Sequence, residues 1–181
     1  MRFVWLLPCA ALVAVWCAAG LLWPTLPERI PLHFDLRGVP DRHGARTVWN
    51  WLLPGIATLL VVAFTFALPP WNLRLAERDA PYLNVPRRAE FSRLAPEARV
   101  RALRPVAVLL PVLAAELALV FAWIQLASAR VASGTWERLP TWMLAGTLAA
   151  IVATTVAFLL VQRRSLRQEI EARDQRERKR T

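Results

Sequence analysis

Residues 26–46 read LPERIPLHFDLRGVPDRHGAR. This charged, turn-rich stretch lies between two long apolar runs, Phe3–Trp23 and Trp51–Leu68. Apolar runs of about 18 residues or more read as membrane-spanning helices. Two further runs follow, Val106–Ser128 and Trp142–Val161. The chain is 181 residues long and 56% hydrophobic, and its apolar residues are gathered into blocks instead of alternating with polar ones, the pattern of a membrane protein. The expected fold is therefore an all-α membrane protein. It has four transmembrane helices, an ordered outer loop and a cytoplasmic interfacial helix.

Charge sets the expected orientation. Of the 23 lysines and arginines, six (Arg29, Arg37, Arg42, Arg46, Arg130 and Arg138) fall in the segments that follow the first and third runs. The rest lie before the first run, between the second and third, and after the fourth. Basic residues accumulate on the cytoplasmic side, so both termini are expected there and the 24–50 loop outside. The formal charge of +10 is then a topology and lipid signal. No nucleic-acid motif accompanies it. Cys9 and Cys17 share one helical run about 12 Å apart, too far for a disulfide. Long and tryptophan-bearing, the first run reads as an uncleaved anchor and not as a signal peptide.

The expected organisation is a two-span module over residues 1–68 with its outer loop at 24–50. A cytoplasmic connector at 69–105, a two-span hairpin at 106–162 and a charged tail at 163–181 follow. Pro69-Pro70 is expected to end the second span. In the outer loop, Asp41-Arg42-His43-Gly44 has Asp first and Gly fourth, which predicts a type I turn. Leu32, Phe34 and Leu36 alternate with polar residues, which predicts an extended segment over the helix ends. Trp23, Trp49, Trp51, Trp136 and Trp142 are expected at the outer interface and Trp71 at the inner one. In the connector, Pro96 opens a short helix to Arg104 that reads as interfacial. The tail continues the fourth helix and holds too few apolar residues for a core.

Three groups of residues could carry chemistry. His33, Asp35, Asp41 and His43 are metal-ligand types, but nothing in the spacing brings the two pairs together. The plainer reading has His33 hydrogen-bonded at the helix ends and Asp41 capping a turn, and no metal is assigned. Glu116 lies midway along the third run, where an ionisable group costs about 2.5–3.5 kcal/mol to insert. It must face a partner, water or a substrate path. The alanines Ala114, Ala118 and Ala122 lie nearly opposite it, so one of the two faces is expected to meet something beyond a simple bundle. Gly146, Ala150 and Thr154 form a small-residue stripe expected to pack within the molecule. No phosphate loop, zinc-protease motif or nucleophile beside a base is present. The chain is expected to be no enzyme and to need no cofactor.

Leu26-Pro27, Ile30-Pro31, His33, Gly38, Pro40-Asp41, Gly44 and Arg46, followed directly by a span, resemble domain of unknown function 1648, a bacterial membrane module. The motif covers the first two spans and their loop. The stretch LNVPRRAEFSRLAPEARVRAL also resembles the connector of stand-alone members. The same module opens SdpI-type immunity proteins, whose later spans have no counterpart recognisable here. The resemblance implies a multi-pass protein of the bacterial cytoplasmic membrane. It also implies a binding, sensing or toxin-immunity role, with a peptide or protein ligand at the outer loop. A small transporter or channel using Glu116 is the alternative. The lipid bilayer is the expected partner, nucleic acid is not, and the small-residue stripes are compatible with an oligomer.

Overall fold

The computed structural model describes residues 2–179. In chain order the elements are α1 (Leu6–Leu22), β1 (Arg29–Phe34), β2 (Pro40–Ala45), α2 (Val48–Glu77), α3 (Arg88–Ser92), α4 (Pro96–Leu103), α5 (Val106–Ala132) and α6 (Thr141–Arg178). Four helical stretches are long and apolar enough to cross a membrane: Phe3–Thr25, Val48–Glu77, Pro96–Ala132 and Thr141–Arg178. The chain is a helical protein built to pass a membrane several times.

Helix α5 stands at the centre, with α1 and α2 against it on one side and α6 on the other. Ala114 and Ala118 are fully buried, and small side chains there let neighbouring backbones come close. Glu116, nearly opposite on the helix, meets α6. The two faces of α5 do not compete, because it has partners on both. Helix α6 is held more loosely, and no residue in its apolar window is buried. Cys9 and Cys17 are free thiols.

Helix α2 does not stop at Pro69-Pro70. It runs on for two more turns, past both prolines, to Glu77. Proline removes one N–H and crowds the preceding turn, and in apolar helices neighbouring packing can absorb this. The stop comes from a cap. Ala80 N–H donates to the Leu75 carbonyl at 3.0 Å, and Asp79 N–H to that of Ala76 at 3.2 Å. Asp79 takes the left-handed conformation at φ 51°, which completes a Schellman motif. Helix α5 ends the same way on Gly134, at φ 72°, with Thr135 N–H donating to the Arg130 carbonyl at 2.9 Å.

Beyond this stop lies a second small core. Leu83, Val85, Phe91, Leu94, Ala98, Ala102 and Leu103 pack with Leu166 and Ile170 of α6. Two sequence expectations change here. Ala98, Ala102 and Leu103 of α4 are turned into this core against α2 and α6, so most of the helix's apolar surface is not free to lie on a leaflet. The tail does contribute to a core: Leu166 and Ile170, four apart on one helical face, are 3% and 4% exposed. Arg101 and Glu169 form a two-pronged ion pair between α4 and α6, with both N–O distances 2.9 Å.

Candidate functional site

At the opposite end of the bundle the loop forms a β-hairpin. Strand β1 finds its partner in β2, antiparallel, with Ile30 facing Gly44 and His33 facing Arg42. The register slips on either side of His33. Ile30 and Pro31 are consequently both buried, although they are sequence neighbours. The predicted turn at Asp41–Gly44 is absent, because those residues belong to β2. The chain reverses at Asp35–Val39 instead. There the Asp35 carboxylate accepts from the N–H groups of Arg37 (2.9 Å) and Val39 (2.8 Å), and Gly38 adopts φ 80°. Leu36, expected to alternate inward, sits on the turn and is fully exposed.

Most of the motif residues hold this hairpin on the bundle. The Arg46 guanidinium donates to the Leu26 carbonyl at 2.6 Å and lies over the Trp23 ring. Gly44 is packed so closely under Leu32 that a Cβ would overlap that side chain. Gly38 is docked on the segment between α5 and α6, its carbonyl accepting from Leu139 N–H at 2.8 Å. Pro31 is buried, Pro40 begins β2 half-buried, and Pro27 is exposed. Ile30 packs with Leu26, Ala19, Trp51 and Ala129.

Trp51 is the residue whose part the sequence did not suggest. Expected at the membrane surface, it is 3% exposed. Its indole N–H donates to the Ala19 carbonyl at 2.8 Å, and its own carbonyl accepts from the Gln125 amide at 3.2 Å. It therefore ties α1, α2 and α5 together directly beneath the hairpin. No spacing signal marks it. Only its lying one turn into a helix that follows a compact loop could have raised the possibility.

The polar face of the hairpin is open. His33 Nδ1 and Asp41 Oδ1 are 2.7 Å apart, with side chains 61% and 48% exposed. Arg42 and His43 beside them are exposed as well. The four metal-type residues are not brought together. Asp35 is committed to its turn, and no group of three or more possible metal ligands occurs among the described residues.

Deeper in the bundle, Glu116 Oε1 accepts from the Thr154 hydroxyl at 2.6 Å. Its other oxygen, Oε2, is buried and has no partner among the described residues. Glu116 lies in a groove of about 560 Å³ between α1, α5 and α6, whose wall includes Ala14, Ala18, Trp123, Gly146 and Ala150. The small stripe on α6 thus borders open space. A Cβ on Gly146 would meet nothing within 4 Å among the described residues, so close packing is not required there, whereas Thr154 of the same stripe meets α5 at Glu116. At the connector end, Arg74, Arg101 and Arg104 line a second cavity of about 520 Å³, beside Glu77 and Glu97. Nearby, the Arg87 guanidinium hydrogen-bonds to Glu90 and holds its carboxyl below the ordinary value.

Together these features define a multi-pass helical membrane protein capped at one end by a hairpin and at the other by a basic connector. Residues 10–58 match the family model for a domain of unknown function, DUF1648. That segment holds most of α1, the whole hairpin and the first turns of α2, and it contains every motif residue on which the resemblance rests. No curated protein and no solved structure matches the chain.

Proposed function

We propose that the chain is a binding or sensing module of the toxin-immunity type and not an enzyme. It works in the bacterial cytoplasmic membrane with the hairpin outside and both ends of the chain inside. One observation carries this reading. The hairpin carries the exposed polar side chains of His33, Asp41, Arg42 and His43, while its base is bonded to α2 through Asn50 and its tip to the segment between α5 and α6. A peptide or protein pressing on them would load Gly38–Leu139 and the Trp51 contacts, and so reach all four spans. The basic cavity at the other end suits the anionic inner leaflet.

The test is survival. Cells expressing the protein are challenged with fractionated secreted peptides of neighbouring strains. The parallel strain carries Asp35→Ala with Gly38→Val, which removes the turn. Protection by the natural chain and its loss in the variant are expected. Equal killing of expressing and non-expressing cells by every fraction would remove the immunity reading.

A second reading has its own observation. Glu116 lines a groove among the spans, and one of its carboxyl oxygens is buried without a partner among the described residues; an ionisable residue so placed suits a small transporter. Proteoliposomes containing a pH dye would show proton flux that Glu116→Gln abolishes if transport occurs. The binding reading expects no flux.

A further inference from the structure

The cavity of about 520 Å³ at the connector end lies between α2 and α4. Its charged lining is Arg74 and Glu77 from α2, with Glu97, Arg101 and Arg104 from α4 and its cap. All five residues are exposed. Arg101 is already engaged, bonded twice to Glu169 of α6. The side chains of the other four make no hydrogen bond or ion pair among the described residues. Arg74 and Glu77 are three apart on one helix, a spacing at which opposite charges commonly meet, and they do not pair. Glu97 and Arg101 are four apart, but Arg101 is turned to Glu169. One space thus holds two guanidiniums and two carboxylates that do not neutralise each other by contact.

Position identifies the surroundings. Trp71, 59% exposed, lies one turn before Arg74, and α5 begins two residues after Arg104. Tryptophan favours headgroup depth, so the cavity stands where two spans leave the hydrocarbon. Leu73 and Val100 give it an apolar wall. Its volume lies within the range of about 300–1,000 Å³ for small-molecule sites. A simple anion would suit the guanidiniums and be repelled by the carboxylates, and a simple cation would meet the reverse. The complement is one molecule that carries both signs. The connector's surplus of arginine draws it to the leaflet as a whole; the cavity, with its two carboxylates, selects within that leaflet.

We propose that this cavity binds the headgroup of a zwitterionic phospholipid ending in a primary ammonium, of the phosphatidylethanolamine kind. Its phosphodiester meets Arg74 and Arg104, since guanidinium matches phosphate with two parallel N–H donors. Its ammonium donates to Glu77 and Glu97, because an ionised carboxylate only accepts hydrogen bonds. A quaternary ammonium has no N–H to give them. The glycerol and the first methylenes lie along Leu73 and Val100. The site shares no residue with the hairpin, so it stands or falls apart from the immunity reading.

The test is native mass spectrometry of the purified full chain released from detergent. It is titrated in turn with phosphatidylethanolamine, phosphatidylcholine and phosphatidylglycerol of the same acyl chains. One phosphatidylethanolamine per chain is expected, held at least tenfold more tightly than either of the others. Arg74→Gln with Arg104→Gln should weaken it at least tenfold. Arg163→Gln with Arg164→Gln, which removes equal charge from exposed positions of α6 outside the cavity, should leave it as it is. Glu77→Gln with Glu97→Gln should turn the preference to phosphatidylglycerol, an inversion that a general loss of structure would not produce. Equal retention of the three lipids by the natural chain would reduce the signal to ordinary lipid contact and overturn the site. A natural preference for phosphatidylcholine or phosphatidylglycerol would overturn the primary ammonium. Displacement by water-soluble glycerophosphoethanolamine at the same concentration as the lipid would make the ligand a free phosphodiester and not a membrane lipid. If a cavity variant unfolds, the natural chain's ranking of the three lipids still decides.

Discussion

Gly38 joins the hairpin to the segment between α5 and α6 through a conformation that other residues resist. Its φ of 80° lies in the left-handed region, and an added Cβ would run into the Leu139 carbonyl. Gly38→Ala should therefore destabilise the chain by on the order of 2 kcal/mol, seen as a lower melting temperature by circular dichroism. An unchanged melt would deny the docking. Asp35 and Asp41 separate by environment. Asp35→Ala strips an acceptor from two backbone N–H groups and should cost about 1–2 kcal/mol. Asp41→Ala breaks only an exposed pair with His33 and should cost less than about 0.5 kcal/mol. A larger loss at Asp41 would reverse this assignment. The sequence could not choose between the turns, because Asp35-Leu36-Arg37-Gly38 and Asp41-Arg42-His43-Gly44 share Asp first and Gly fourth. The start of α2 makes the choice. A turn at 41–44 would need a strand over the residues that begin this helix, where Thr47 accepts from Asn50 N–H as the helix cap.

At the scale of elements, the connector end turns on Asp79. Its carboxylate lies 2.8 Å from Arg88 and 3.2 Å from Arg99, whose side chain is only 10% exposed. Asp79→Ala would leave Arg99 buried without a counter-ion and keep an unfavourable positive φ. A loss on the order of 2–3 kcal/mol is expected, toward the low end for buried pairs because the Asp79 side chain is 30% exposed. Asp79→Gly would relieve the backbone but not the charge, so a variant more stable than the natural chain by the full backbone relief would show that the ion pairs contribute nothing. The Arg87–Glu90 pair adds a pH dependence. Its folded carboxyl titrates below the ordinary value, so its contribution is present above the ordinary carboxylate range and fades as the pH falls through the depressed value. The natural chain should exceed Glu90→Gln in melting temperature at neutral pH, by a small margin, and converge with it in acid. A gap that widens in acid would give the pair the wrong sign. These features were poorly legible beforehand. Two prolines look like a stop, but the cap that ends α2 depends on Asp79 being drawn into place by arginines 9 and 20 residues later. Likewise, Leu166 and Ile170 mean little in a charged tail until α3 and α4 supply surfaces for them.

For the molecule as a whole, hydrophobic block length made the four crossing helices legible, because a bilayer imposes one length on each. Which face of each helix meets which neighbour was not legible, since apolar side chains are acceptable both to lipid and to a helix partner. The placement of α5 at the centre reconciles the Ala114–Ala118 face with Glu116. The burial of Trp51 depends on Ala19, Ile30 and Ala129, which no local pattern brings to it. Orientation rests on a different force, the bias of arginine and lysine toward the cytoplasm. Only six of 23 basic residues flank the hairpin end. The hairpin should then be reachable from outside the cell and the end of α6 should not. In a variant with Cys9 and Cys17 replaced by serine, Leu36→Cys offers a fully exposed site on the hairpin turn, and Gln175→Cys offers one on the exposed far end of α6. A membrane-impermeant maleimide should label position 36 in intact cells and position 175 only after lysis. The reverse pattern would put the hairpin in the cytoplasm, where a secreted peptide could not reach it. The immunity reading would then fail with the orientation.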